Sequence, residues 1–308
     1  GRRLDPVDAA MTGLVTGPGG FVGRALVSGL TVRGYSVRKV GRNVVGDIGP
    51  DTDWRPLLDG IETVVHLAAR VHVMRDHGRD PLAEYRRVNL EGTRGLAAAA
   101  ADAGVRRFVF LSSVKVNGET TERPLSPEDP VDPKDAYAIS KWEAEQAIAE
   151  TAGQMAVVVL RPPLVYGPGV GGNFMRLLGL VDRALPLPFG AIRNLRSFIY
   201  LGNLVGAIRF ALDGPEGTFL PSDGEDLSTS DLVRRLAAAL DRPARLVPVP
   251  ISLLRFAGCV TGRSATIARL VDSLRLDGRI PGWTPPFGVD EGLQTTADWY
   301  RETIPGRA

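Results

Sequence analysis

Through the first half of the chain, short apolar runs alternate with longer segments of helical period, and few folds accept that alternation. Residues 13–16 read as a strand and 21–33 as a helix ending at Gly34. Residues 35–40 form a second strand, and Val44-Val45 begins a short third. Residues 62–68 make a fourth, 81–103 a long alanine-rich helix, 107–111 a fifth strand, 136–151 another helix and 155–160 a sixth strand. Parallel strands need crossover helices, so this order predicts an α/β fold with a doubly wound parallel sheet covered on both faces. The unbroken apolar run Val157-Val158-Val159-Leu160 suits burial from both sides. After about residue 166 the alternation breaks at Pro186, Pro188, Pro221, Pro243, Pro248 and Pro250, which predicts a smaller, irregular α/β lobe.

Charge and composition exclude several function classes. Thirty-seven basic and 35 acidic residues leave a formal charge of +2, and no segment is basic and aromatic enough for a nucleic-acid groove. A single cysteine, Cys259, excludes a disulfide framework or cysteine-built zinc site and reads as a small buried apolar side chain. No apolar stretch is long enough for a membrane span, and residues 1–10 lack the apolar run of a signal peptide. The expectation is a cytoplasmic protein, with residues 1–10 as an N-terminal extension before the first methionine, Met11.

Thr16-Gly17-Pro18-Gly19-Gly20-Phe21-Val22-Gly23 joins the first strand to the first helix. Glycines at 17, 20 and 23 allow a tight turn, backbone approach to a pyrophosphate, and close packing of helix on sheet. That context predicts a dinucleotide-binding Rossmann sheet. The end of the second strand reads Val40-Gly41-Arg42-Asn43, with no acid to bind a ribose 2′-hydroxyl. Arg42 instead suits a 2′-phosphate, so NADP(H) is favoured and NAD(H) remains possible.

Tyr137 and Lys141 lie one helical turn apart in Tyr137-Ala138-Ile139-Ser140-Lys141. A neighbouring ammonium is expected to draw a phenol's pKa down toward the working range. Ser112 and Ser113 end the fifth strand, where open α/β sheets place their ligands.

With these residues, the chain resembles an extended short-chain dehydrogenase/reductase of the NAD-dependent epimerase/dehydratase type, enzymes that act on nucleotide sugars. The likeness covers nearly all of residues 11–300. It implies catalytic roles for Ser113, Tyr137 and Lys141. His66-Leu67-Ala68-Ala69 matches the segment flanking the cofactor, and Val88-Asn89-Leu90-Glu91-Gly92-Thr93 a helix motif. Gly46-Asp47-Ile48 matches a pair on the adenine, and the stretch with Pro162 and Val165 one whose backbone meets the nicotinamide amide. The resemblance therefore assigns the cofactor to Gly17, Gly19, Gly20, Phe21, Val22, Gly23, Arg42, Asp47, Ile48, Leu67, Ala68, Ala69, Ser112, Tyr137, Lys141, Pro162 and Val165. It assigns the substrate to Ser113, Val114, Lys115, Asn173, Phe174, Leu187, Phe189 and Arg196, with Arg196 gripping the diphosphate. Ala138, Asn117, Leu164, Ser197 and Asn203 depart from the family's usual residues, which leaves the sugar open.

The function implied is reduction, by hydride from NADPH, of the C4 ketone of a UDP-4-keto-6-deoxy-N-acetylhexosamine in bacterial polysaccharide synthesis. A UDP-hexose 4-epimerase uses the same residues, and a non-catalytic cofactor sensor is the alternative outside enzymes. Steroid or flavonoid ketone reduction is a further option within the superfamily. The dinucleotide-binding domain is expected over 11–170, with segments near 196–215 and 265–277 returning to it. Residues 171–195, 216–264 and 278–308 form the substrate-binding lobe. Family likeness implies a homodimer through the helices at 81–103 and 136–151. His66, His72 and His77 are not spaced for a metal site; His66 reads as a cofactor-lining or core residue, and the arginines of 70–79 as a solvated loop.

Overall fold

The computed structural model describes residues 12–71 and 80–303, which leaves the expectations for residues 1–10, His72 and His77 outside it. Two compact units divide the chain: 1–116, 131–161 and 207–219 in one, and 117–130, 162–206 and 220–308 in the other. Residues 207–219 thus belong to the first unit, and 196–206 and 265–277 to the second.

The first unit is built on a parallel sheet of six strands: β1 (Thr12–Thr16), β2 (Ser36–Val40), β3 (Thr63–His66), β4 (Arg107–Leu111), β5 (Ala156–Leu160) and, later in the chain, Gly217–Phe219. Its spatial order is β2-β1-β3-β4-β5, closed by Gly217–Phe219 beside β5. The order reverses at β1, between β2 and β3, and open α/β sheets take their ligands at such a switch point, beyond the strands' C-terminal ends. Thr16 pairs with Val40 on one side and His66 on the other, so the strand ends lie level there. Leu14, Val64, Phe108 and Phe110 are fully buried and pack with Leu96 and Ile148 of the helices Gly92–Asp102 and Ala136–Thr151. Each such side chain contributes about 1.5–3 kcal/mol of burial.

One expected strand is absent. Val44-Val45 lies in a single helical turn, Arg42–Val45, capped by Gly41 and ended by Gly46 at φ 67°. The Val45 and Gly46 amides donate to Gly41 and Arg42 carbonyls, so the segment satisfies its own backbone at the sheet's β2 edge. The sixth strand is instead Gly217–Phe219. The helix expected over 81–103 contains a π-helical stretch, Arg86–Glu91, between Pro81–Tyr85 and Gly92–Asp102.

The second unit holds a small parallel pair, Leu164–Tyr166 with Phe198–Tyr200, and the helices Gly172–Asp182, Thr229–Ala239, Ile251–Val260, Ser264–Val271 and Val289–Thr303. The buried Asp223 carboxylate accepts hydrogen bonds from the Tyr166 hydroxyl (2.8 Å), the Tyr200 amide (2.8 Å) and the Asn203 amide (2.7 Å). Asn203 also exchanges bonds with the Phe287 backbone, and Ser197 donates to Asp226. Two of the departures from the family pattern are therefore structural ties. An aspartate at 203 would set a second carboxylate against Asp223, whereas the asparagine donates to it.

Cys259 is exposed, contrary to its expected burial. It sits on the outer side of Ile251–Val260, whose inner side is formed by the buried Leu254 and Gly258. No helix among the described residues is long and apolar enough to cross a membrane.

Candidate active site

The glycine turn stands at the switch point, between the end of β1 and the helix Phe21–Thr31. Gly17 adopts φ 66° and donates to the Val40 carbonyl, while a Cβ there would come within 2.9 Å of the Ala68 amide. The turn is thus pressed against Leu67 and Ala68, whose amides both donate to Thr16 Oγ1 at 3.1 Å. Gly20 caps the helix Phe21–Thr31 without a side chain over its first amides, and a Cβ at Gly19 would meet nothing within 4 Å. A bare helix N-terminus with open space at Gly19 fits the pyrophosphate of a dinucleotide. Gly23 serves packing: a Cβ there would lie 2.1 Å from the Gly17 carbonyl oxygen. Gly23→Ala must therefore push the turn aside, at a cost of about 1–3 kcal/mol. A lower melting temperature together with weakened binding of a nicotinamide dinucleotide, measured by fluorescence titration, is the expected result; unchanged binding would refute it.

Asp47 and Ile48 also lie in the first unit. Ile48 packs on the helix motif, since a Cβ on Gly92 would come within 2.3 Å of its Cγ2. Asp47 pairs with Arg42 at 3.0 Å, both largely exposed. Arg42, expected to serve a 2′-phosphate, therefore already carries a carboxylate.

His66 is a core residue rather than a metal ligand. Its Nδ1 lies 2.7 Å from Thr16 Oγ1 and its Nε2 2.9 Å from Thr93 Oγ1, and its ring stacks on Phe110. Burial, assisted by the Lys141 charge, lowers its pKa to about 3. No cluster of three metal-ligating side chains occurs among the described residues.

Tyr137 and Lys141 occupy the first turns of the helix Ala136–Thr151. Asp135 caps that helix, its Oδ1 accepting the Ala138 amide at 2.8 Å, and its other oxygen holds the Lys115 ammonium. The half-buried Tyr137 ring meets Tyr85 edge-on at 6.2 Å. Asn89 ties the helix inward, donating to Ser140 Oγ at 3.0 Å while exchanging bonds with the Arg70 backbone.

The structure corrects the expected tuning of the phenol. Burial, then Asp135 and Tyr85, push the Tyr137 pKa up rather than down. Lys141 is 1% exposed, with Nζ 3.9 Å from the Phe110 ring centroid. Burial lowers its pKa to about 7, opposed by Glu145 one turn further on. The dry side of the helix thus holds Tyr137 as a neutral acid and leaves Lys141 about half protonated near neutral pH.

Behind this pair lies an ionic group that sequence reasoning missed. Glu145 and Arg161 are 5% and 3% exposed, joined by bonds of 2.5–3.2 Å, and Ser112 Oγ donates to Glu145. The Ser112 hydroxyl is committed there, whereas the half-buried Ser113 hydroxyl only accepts the Lys115 amide at 3.3 Å. Val114 is buried in the short turn Val114–Val116.

These residues predict a pH response. Between pH 6.5 and 3 the unfolded chain protonates His66 and the native protein does not, so stability falls as pH drops through that window. Between pH 7 and 10.5 the unfolded chain holds a proton that native Lys141 has lost, so stability rises with pH there. Urea midpoints measured against pH should slope upward in both windows. An acid limb that His66→Gln leaves unchanged would count against the assignment.

The other expected substrate residues lie in the second unit. Asn173 is exposed in the first turn of Gly172–Asp182, and Phe174 is buried and stacked on Tyr166. Leu187 bridges to Leu246, and Phe189 packs beside Ile192, Leu254 and Val271. Arg196 donates to the Asp272 carbonyl at 3.0 Å, and burial lowers its pKa. Pro162 is buried, and Val165 pairs with Ile199.

Known proteins resemble this chain. The profile of the NAD dependent epimerase/dehydratase family matches residues 13–220, and the chain belongs to that family of enzymes. It is similar to a UDP-glucose 4-epimerase of Vibrio cholerae, 44% identical over 310 residues that span 93% of this chain and 94% of the relative. Among solved structures it is similar to the UDP-glucose 4-epimerase of Thermus thermophilus in complex with NAD, at TM-score 0.74 and 25% identity over 96% of this chain and 100% of the other. The Bordetella bronchiseptica enzyme WbmG in complex with NAD shares the fold at TM-score 0.77 and 21% identity, over 97% of both chains.

Proposed function

We propose that the protein is a UDP-hexose 4-epimerase that retains NAD(H). The observation that carries this reading over reduction of a 4-keto sugar is the 44% identity, along almost the whole chain, to the Vibrio cholerae UDP-glucose 4-epimerase. Tyr137, Lys141 and Ser113, all in the first unit, supply the acid–base chemistry that either reaction needs.

The glycine turn and Lys141 would hold NAD(H), which would supply reversible hydride chemistry at C4 and, when oxidised, a cationic ring beside the phenol. With its own proton first released to solvent, Tyr137 as phenolate takes the C4 hydroxyl proton in the first half-reaction, and the phenol so formed gives it back in the second. Ser113, whose hydroxyl proton is not engaged by that backbone amide, donates to the C4 oxygen. Lys141 binds the cofactor's ribose and holds positive charge near the phenol. The likeness to the Thermus thermophilus UDP-glucose 4-epimerase in complex with NAD supports NAD(H) over NADP(H). The remaining turn, Leu67–Ala69, Ile48, Pro162 and Val165 assignments follow the family pattern for the cofactor. In the second unit, Arg196 pairs with the substrate diphosphate, with Asn173 and the 187–189 segment toward the base. A homodimer through the helical segments 81–103 and 136–151 completes the reading, resting on family likeness and measurable by sedimentation.

The test is direct. Protein purified without added cofactor should carry NAD(H) and interconvert UDP-galactose and UDP-glucose. Stoichiometric NADPH consumption with a UDP-4-keto-6-deoxyhexosamine, and no interconversion, would overturn the epimerase in favour of the reductase.

A further inference from the structure

We propose that the outer face of the helix Ile251–Val260 is a docking surface for an anionic phospholipid bilayer. Leu253, Phe256 and Val260 are 55%, 66% and 71% exposed, and their spacing places them on one stripe of the helix. Ala257 and Cys259 are exposed beside them. The other large exposed apolar residues among those described are scattered along the chain. Single exposed apolar side chains are ordinary, whereas a contiguous stripe marks a contact surface.

The stripe is not left over from an unfinished core. Leu254, Ile192 and Val271 form a buried cluster, with Phe189, Val249, Ile251, Ile267 and Leu270 packed against it. A Cβ on Gly258 would meet Ile267 Cγ1 at 2.7 Å, so the helix is already seated tightly on Ser264–Val271. Its inner face is satisfied, and the outer row faces solvent.

Charge selects the occupant. Residues 242–271 contain Arg242, Arg245, Arg255, Arg263 and Arg269 and no aspartate or glutamate. Arg242, Arg255 and Arg269 pair with Asp182, Asp272 and Glu119 from outside the segment. Arg245 and Arg263 are exposed and have no acidic partner among the described residues. Arg245 and Arg263 flank the helix in sequence, so a second copy brought up by a two-fold axis would add unpaired arginines and no acid from residues 242–271. A bilayer offers hydrocarbon to Leu253, Phe256 and Val260 and anionic headgroups to the arginines, as interfacial amphipathic helices require. A helix of this length lies in the interface and does not span it.

The experiment is flotation of the full-length protein with phosphatidylcholine vesicles, with and without about a quarter phosphatidylglycerol. At low salt, binding to the anionic vesicles is expected to exceed binding to the neutral ones by at least about fivefold and to fall as salt rises. Leu253→Ser with Phe256→Ser should reduce it by about tenfold. Arg263→Glu should weaken it and flatten its salt dependence. Unchanged thermal transitions and UDP-hexose turnover would confirm that these variants fold. Equal binding to both vesicle types, or binding indifferent to the serine pair, overturns the proposal. So does a dimer that the serine pair dissociates in a protein with no vesicle affinity.

Discussion

Glu145→Ala is expected to destabilise the protein by about 3–5 kcal/mol, because it leaves the Arg161 guanidinium charged and buried without its partner. Both side chains are about 4% exposed, so water cannot take the place of the lost carboxylate. The same substitution strips the Ser112 hydroxyl of its acceptor and removes the one charge that supports protonation of Lys141. Denaturant midpoints should fall, and the surviving activity should need a more acidic pH to keep Lys141 charged. Replacing both partners, Glu145→Ala with Arg161→Met, should recover part of the loss, since a buried pair removed whole costs less than one broken. A single variant as stable as wild type would show that the ion pair is dispensable.

What the sequence disclosed, and what it hid, follows from the range of each interaction. The turn from Gly17 to Gly23 is local: Gly17 and Gly23 are forced by contacts within a few residues or with the adjoining strand end, so spacing exposes them. Tyr137 and Lys141 share a face through helix pitch alone. The Asp135 cap was legible too, as an acid immediately before a helical run, and went unused. Glu145, Arg161 and Ser112 meet from one helix and two strand ends, and no pattern within a single segment predicts that meeting. Val44-Val45 misled because two β-branched residues suggest a strand, whereas Gly41 and Gly46 close them into a turn. Cys259 misled because cysteine usually packs inside, and its helix presents a second apolar face. The direction of the Tyr137 shift depends on how dry the phenol is, which a nearby lysine in the sequence does not reveal.

Tyr137→Phe is expected to lower kcat by about 10²–10⁴, the range removed with a positioned general acid–base group. The substitution deletes one oxygen and keeps the ring, so the edge contact with Tyr85 and the packing of the helix Ala136–Thr151 persist. Binding of UDP and NAD(H) should therefore be close to wild type, and thermal stability should change little, which separates lost chemistry from lost structure. Because burial holds the phenol protonated, hydride removal from the sugar should speed up as pH rises toward neutrality in wild type and level off as Lys141 loses its charge near pH 7. That rise should vanish in Tyr137→Phe, while an unaltered profile would assign the proton transfer to another group. Ser113→Ala should cost less, since it withdraws a hydrogen bond to the C4 oxygen and leaves the proton's carrier in place. Turnover by Tyr137→Phe within about twofold of wild type would remove the phenol from the mechanism and with it the acid–base reading of the helix.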